Sequence, residues 1–118
     1  SYVLKGEIIN SLFEEIAGSS FVKRNESCNP NIVAPSETTT CALRKISDER
    51  ITAGGWYDMD HEAVHMVRAR DCITLLDRGD YKKQYAHVFT APNVLPTCPF
   101  SKKVPEHELW DMIRAMLV

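Results

Sequence analysis

The sequence predicts a mainly α-helical protein, a compact bundle of four to five helices with one long irregular loop at about residues 18–38. Two observations carry this prediction. Apolar residues recur every three to four positions in several segments, which is the spacing of one helix face. Glycine and proline separate these segments, as they do at helix ends. With 118 residues, the chain is predicted to form a single domain over residues 1–118.

The first predicted helix covers residues 3–17, and Gly18 follows it as a C-cap. Its apolar stripe consists of Leu4, Ile8, Ile9, Leu12, Phe13 and Ile16. The stretch 18–40 is rich in Ser, Thr, Asn and Pro and keeps no apolar period, so a loop is expected there. A second helix is predicted from about Thr39 to the glycine pair at Gly54, although the preceding threonine run favours extended structure.

The third predicted helix begins at Asp58 or Asp60, either of which can act as its N-cap, and runs toward Asp77. Its apolar side holds Met59, Ala63, Met66, Val67 and Ile73. Its opposite side holds His61, His65, Arg68 and Cys72. The apolar side is predicted to form part of the core, so function is sought on the opposite side.

Two shorter helices complete the predicted bundle. An aromatic helix is expected over residues 81–89, where the apolar period continues up to Pro92. The last helix is predicted to begin at Pro105, because proline suits the first helical position. Glu106 and Glu108 favour the positive end of that helix.

The segment His61–His65 reads HEAVH and fits the pattern H-E-x-x-H, so it resembles the zinc-binding helix of metalloproteases. On a helix, His61 and His65 lie one turn apart and can bind one zinc ion, with Glu62 as general base on a zinc-bound water. Candidates for a third ligand are Cys72, His87 and His107. The other interpretation is a pair of solvent-facing histidines on a polar face. A zinc-dependent hydrolase is therefore an alternative function.

The segment 67–89 contains an Arg-Ala-Arg run, an apolar stretch that ends in Arg78-Gly79, and a following aromatic segment. It resembles part of a caspase-recruitment domain, a death-fold helical family. The resemblance implies an α-helical adaptor or signalling domain that binds another protein through charged helix faces. It also implies that Arg68, Arg70 and Arg78 form a basic contact patch.

Aromatic side chains are the other candidates for partner binding. Trp56 and Tyr57 are proposed as anchors because aromatic residues and Arg dominate the energetics of protein interfaces. The catalytic alternatives are weaker, since the chain has neither a G-x-S-x-G nucleophile motif nor a glycine-rich phosphate loop. The preferred function is therefore a small protein–protein interaction domain rather than an enzyme.

The charge balance gives no electrostatic reason to bind nucleic acid or acidic lipid, because 14 basic and 16 acidic residues leave a formal net charge of −2. No apolar run approaches the roughly 18 residues that span a bilayer. The expected partner is thus another protein, with no nucleic acid and no membrane.

Four cysteines, Cys28, Cys41, Cys72 and Cys98, are disulfide candidates. A bridge between Cys28 and Cys41 would close a loop of about 14 residues and stabilise the chain by roughly 3 kcal/mol. Asn25 begins an N-glycosylation sequon nearby, which matters only in a secreted protein. The cysteine usage favours a cytoplasmic location over a secreted one. A secreted, disulfide-stabilised effector or ligand is kept as the further alternative.

Overall fold

The architecture comes from a computed structural model that describes residues 1–27, 31–77, 84–94 and 104–117. More than half of these residues lie in strands, and the described chain contains one helix. The elements in chain order are β1 (Tyr2–Glu26), β2 (Thr38–Thr52), β3 (Val64–Leu75), β4 (Ala86–Thr90) and α1 (Glu106–Leu117). The protein is therefore mainly β.

The strands form one four-stranded antiparallel sheet in which β1 lies between β2 and β3. Strand β4 pairs with the last residues of β1, in a register that runs from Val22 opposite Thr90 to Glu26 opposite Ala86. Because β1 has 25 residues, it pairs with all three other strands.

The chain divides into two compact units, to which β1 and β2 both contribute. Unit 1 comprises Ser1–Leu12, Ser47–Gly79 and Ser101–Val118, and unit 2 comprises Phe13–Ile46 and Asp80–Phe100. The prediction of a single domain stays a prediction.

The core of unit 1 is small. Val3, Ile8 and Ile51 are its buried members, and Tyr57 and Cys72 pack against them. Three buried apolar side chains contribute only about 5 to 9 kcal/mol of transfer free energy, at about 1.5–3 kcal/mol each.

Strands β1 and β3 approach each other closely at Gly6. The φ of Gly6 is +78°, and that of Asp71 on β3 is +47°, so both residues lie in the left-handed region. A Cβ atom on Gly6 would lie 2.5 Å from the carbonyl oxygen of Asp71. This position therefore requires glycine both for its backbone conformation and for the space.

The predicted helical bundle is wrong. The segments 3–17, 39–52 and 64–75 are not helices but lie in β1, β2 and β3. The physical reason is visible in β1, where Leu4, Ile8 and Leu12 recur every four residues. Four is a multiple of the strand period of two, so this spacing fits one face of a strand as well as one face of a helix.

The predicted long loop at 18–38 is also wrong in its first half, because β1 continues to Glu26. The predicted helix 81–89 is wrong where the structure describes it, because β4 begins at Ala86. Residues 81–83 lie outside the described part. The last predicted helix is confirmed as α1, with Glu106 and Glu108 in its first turn. A helical adaptor domain is therefore the wrong function for this chain, since the described fold is a β-sheet with a single helix.

Candidate functional site

The HEAVH segment does not form a helix. His61 and Glu62 lie in a turn before β3, and His65 is the second residue of β3. Nδ1 of His61 lies 2.9 Å from Oδ1 of Asp60, and its Nε2 lies 3.2 Å from Oε1 of Glu62. Both ring nitrogens of His61 thus face neighbouring carboxylates. The one-turn spacing that lets two histidines bind one zinc ion is therefore lost.

The described residues contain no group of three or more His, Cys, Asp or Glu side chains that could hold a metal ion. Among the proposed third ligands, Cys72 packs against the core of unit 1 and His87 lies on β4. His107 lies in the first turn of α1. The proposed zinc ligands are thus not brought together, and the prediction of zinc binding is wrong for the described part of the chain.

His65 contacts the buried interior of unit 1. Its Nδ1 lies 3.1 Å from Oδ1 of Asn10, and Nδ2 of Asn10 donates to Sδ of Met59 at 3.3 Å. Asn10 is only 2% exposed. Since an amide oxygen only accepts hydrogen bonds, Nδ1 of His65 carries the proton. Desolvation by burial lowers the pKa of this imidazole below its ordinary 6.5.

We expect His65 to make the protein less stable in weak acid. Because its folded pKa lies below 6.5, the unfolded state binds more protons in the window below that pH. The contribution of the neutral ring is therefore complete above pH 6.5 and is lost as the pH falls through the folded pKa. The measurement is the urea midpoint between pH 7.5 and about pH 5. His65→Gln should reduce the acid-induced drop. Equal drops in wild type and His65→Gln would contradict the assignment.

A polar row crosses β2, β1 and β3 in unit 1. The fully buried hydroxyl of Ser11 donates a hydrogen bond to Oδ1 of Asp48. Nη2 of Arg68 lies 3.9 Å from the same carboxylate oxygen. Ser11 thus has an aspartate and no histidine as its hydrogen-bond partner, so this row lacks the general base of a nucleophilic serine. We assign it to strand packing.

The arginines proposed as a contact patch lie on β3. Arg68 and Arg70 are both exposed, and they share one strand face because they are two residues apart. Arg70 makes no ion pair among the described residues. Arg78 lies outside the described residues. The role of these arginines in partner binding stays a prediction.

The two proposed aromatic anchors differ in exposure. Trp56 is 68% exposed, and its ring centroid lies 4.7 Å from that of Tyr2. Tyr57 is half-buried and packs against the core cluster. Trp56 is therefore the accessible member of the pair.

The cysteines do not form the predicted bridge. Cys41 and Cys72 are free thiols, whereas Cys28 and Cys98 lie outside the described residues. Burial raises the pKa of both described thiols, and Glu15 adds to this effect at Cys41. Both therefore stay protonated and weakly nucleophilic at neutral pH. The prediction of disulfides is wrong for the described residues.

Unit 2 contains a cavity of about 340 Å³ between β1, β4 and the segment before β2. Its lining residues are Lys23, Asn25, Pro35, Glu37, Thr39, Tyr85 and His87. Three of the polar side chains that line it, Lys23, Asn25 and His87, have polar partners. Oδ1 of Asn25 lies 2.8 Å from Nδ1 of His87, and Nδ2 of Asn25 donates to the carbonyl oxygen of Pro35 at 3.1 Å. The Lys23 ammonium lies 2.9 Å from Glu15.

The most distinctive surface belongs to unit 1. Nine large apolar side chains of its described residues are exposed, three times the number buried in its core cluster. They are Trp56, Met66, Val67, Leu75, Leu76, Leu109, Trp110, Met112 and Leu117. We call these nine side chains the apolar surface of unit 1. Eight of them come from β3, the residue that follows it, and α1.

Helix α1 is amphipathic and has no buried residue. At 100° per residue, its apolar side chains cover one side, on which Ile113 and Met116 are half-buried. Leu109, Trp110 and Met112 on this side are 44%, 49% and 54% exposed. Periodicity in the sequence identifies this apolar face but not the chain that covers it.

No helix in the described part of the chain is long and apolar enough to cross a membrane. Comparison of the chain with protein-family models, curated proteins and solved structures finds no significant match.

Proposed function

We propose that the protein is a structural subunit that associates with copies of itself and buries the apolar surface of unit 1 in doing so. The observation that carries this proposal is the excess of exposed over buried large apolar side chains in unit 1. Apolar side chains that form a patch on a protein surface mark an interaction site, and Leu109, Trp110 and Met112 lie on one side of α1. The sequence predicted a helical adaptor that binds another protein. The function proposed here belongs to a β-sheet protein, and the partner is a second copy of the same chain.

The size of the apolar surface suits a stable interface. A large apolar side chain that is about half exposed offers on the order of 100 Å² for burial. Because Met66 and Val67 point to opposite faces of β3, at most eight of the nine side chains can lie on one side of the sheet. Eight such side chains offer an area similar to the roughly 800 Å² that each partner contributes to a standard specific interface.

Helix α1 supports the same conclusion. It has 12 residues, and an isolated helix of about this length is marginal in water even with a favourable sequence. Most helical stability in proteins comes from packing of the apolar face, yet no residue of α1 is buried. A second copy that covers Leu109, Trp110 and Met112 would provide the missing packing.

The chemistry of the described residues favours a structural role over catalysis. Ser11 is hydrogen-bonded to Asp48, the described thiols have raised pKa values, and His61 is held between carboxylates. None of these groups is arranged as a nucleophile with its base.

We expect the wild-type protein to sediment as a dimer or a larger oligomer at micromolar concentration. Burial of apolar surface drives association, so the oligomer should persist in high salt, where surface ion pairs are screened. Sedimentation velocity over a wide concentration range, in low and in high salt, measures this. A monomer at every concentration would overturn the proposed function.

A further inference from the structure

We infer that α1 of one copy lies on β3 of a second copy, with Glu106 facing Arg68 and Arg70. This inference rests on the proposed self-association and specifies which elements meet. The contact is reciprocal, because in a two-fold dimer the helix of each copy contacts the strand of the other. It uses apolar side chains from both elements and opposite charges at one end of the contact.

The charges on the two elements are complementary. The first turn of α1 carries Glu106 and Glu108, whereas β3 presents Arg68 and Arg70 on one exposed face. Among the described residues, neither glutamate is in an ion pair, and the same is true of Arg70. Within the described part of the chain, Arg68 makes one long ion pair, in which its Nη2 lies 3.9 Å from Oδ1 of Asp48. The unpaired charges of Glu106 and Arg70 would be matched when α1 meets β3 of another copy.

The spacing along the two elements also agrees. Met66 and Arg68 lie on the same face of β3 and are about 7 Å apart along the strand. Glu106 and Trp110 lie about 6 Å apart along α1 and on the same side of it. If Trp110 packs on Met66, with the helix antiparallel to the strand, Glu106 reaches Arg68. The long side chain of Arg70 then lies within reach of the same carboxylate.

Pairing of β3 with β3 of another copy is the competing arrangement, and the sequence of β3 disfavours it. The positive φ of Asp71 interrupts the regular strand. In an antiparallel pair of two β3 strands centred on Ala69, Arg68 of one copy would lie opposite Arg70 of the other, and directly opposed like charges are destabilising. Charged residues and irregular backbone are features by which edge strands avoid such pairing. A helix on the face of β3 avoids both problems.

The test exchanges the charges between the two elements. Arg70→Glu reverses the strand charge at a residue that makes no ion pair among the described residues. Glu106→Arg reverses the helix charge. Each variant alone should weaken its own dimer about tenfold, because two like-charge contacts replace two favourable ones. A mixture of the two variants should form heterodimers above the statistical half, since residue 106 then faces an opposite charge at residue 70 in both contacts, while Arg68 is the same in every dimer. Native mass spectrometry counts the species, and sedimentation velocity gives the dissociation constants.

Glu108→Arg is the matched control. It makes the same charge change in the same helical turn, but Glu108 lies about 160° around the helix from Glu106. The Glu108→Arg dimer should dissociate less readily than the Glu106→Arg dimer. In a mixture of Glu108→Arg with Arg70→Glu, the fraction of heterodimers should stay close to the statistical half.

The outcomes separate this contact from the proposed function. Two results together would support the contact. The homodimers of Arg70→Glu and Glu106→Arg are weaker than the wild-type dimer, and the excess of heterodimers in their mixture declines in high salt. If the wild-type protein associates while Glu106→Arg matches Glu108→Arg and the mixture is statistical, the contact is overturned and self-association stands. A wild-type monomer at every concentration would overturn both.

Discussion

Replacement of Gly6 by alanine is expected to lower the free energy of unfolding by about 3 kcal/mol or more. Two effects combine at this position. The left-handed φ of +78° is strained for any residue with a Cβ. The new methyl group would also lie 2.5 Å from the carbonyl oxygen of Asp71. Because that oxygen belongs to the backbone of β3, relief of the contact requires the two strands to move apart.

Gly54→Ala is the matched control for this prediction. Gly54 also lies in unit 1 and has a φ of +89°, but its added Cβ would have no atom within 4 Å. Only the conformational cost remains there, about 1 kcal/mol. Urea unfolding of both variants at one fixed protein concentration measures the difference, since the stability of an oligomer depends on concentration. Equal losses for the two alanines would show that the approach of β1 and β3 contributes nothing.

The helix α1 was predictable because its signals are local. Pro105 stands just before the first turn, acidic residues follow it, and an apolar stripe continues to the end of the helix. Strand β1 was not predictable in the same way. Its apolar residues at intervals of four fit both periods, and the choice between them depends on pairing with β2 and β3. Those partners are distant in sequence, so no local pattern contains them.

The segment before β3 explains the failure of the HEAVH prediction. Asp60 is one of the two predicted helix N-caps, with Asp58, and its side chain does accept a hydrogen bond from the backbone N–H of Glu62, at 3.0 Å. Its carbonyl also accepts from the N–H of Ala63, which closes a single turn. The local capping chemistry is thus present without a helix after it, because Val64 and the following residues pair with β1 instead. The two histidines are separated for the same reason.

The candidate surface was predictable only in part. The sequence predicts Arg68, Arg70 and Trp56 as contact residues; all three are exposed, and their role in binding stays a prediction. It placed Met66 and Val67 in a helical core, although they are exposed on a strand. A strand face and a helix face select different residues from the same segment. Because the helical period was chosen for this segment instead of the strand period, Met66 and Val67 were assigned to the interior.

Leu109→Asp is expected to weaken self-association about 100-fold or more, because the interface would then enclose a carboxylate without a partner. Leu109 is 44% exposed in the single chain, so the substitution leaves the core cluster of unit 1 unchanged. An aspartate in the first turn also suits the helix dipole, so α1 should not lose local stability. Sedimentation velocity across a wide concentration range measures the dissociation constant.

His107→Asp is the control for this variant. It adds the same acidic side chain to the same turn, but His107 lies about 160° around the helix from Leu109, on the polar side. The control should associate almost as tightly as wild type. Circular dichroism of both variants at high concentration checks that they fold.

If both weaken association equally, added negative charge near the helix start is the cause, and the apolar side of α1 is not the contact. If neither does, α1 lies outside the interface, and the remaining side chains of the apolar surface must carry the association. A large effect of Leu109→Asp with little effect of His107→Asp requires the apolar side of α1 to be buried between copies.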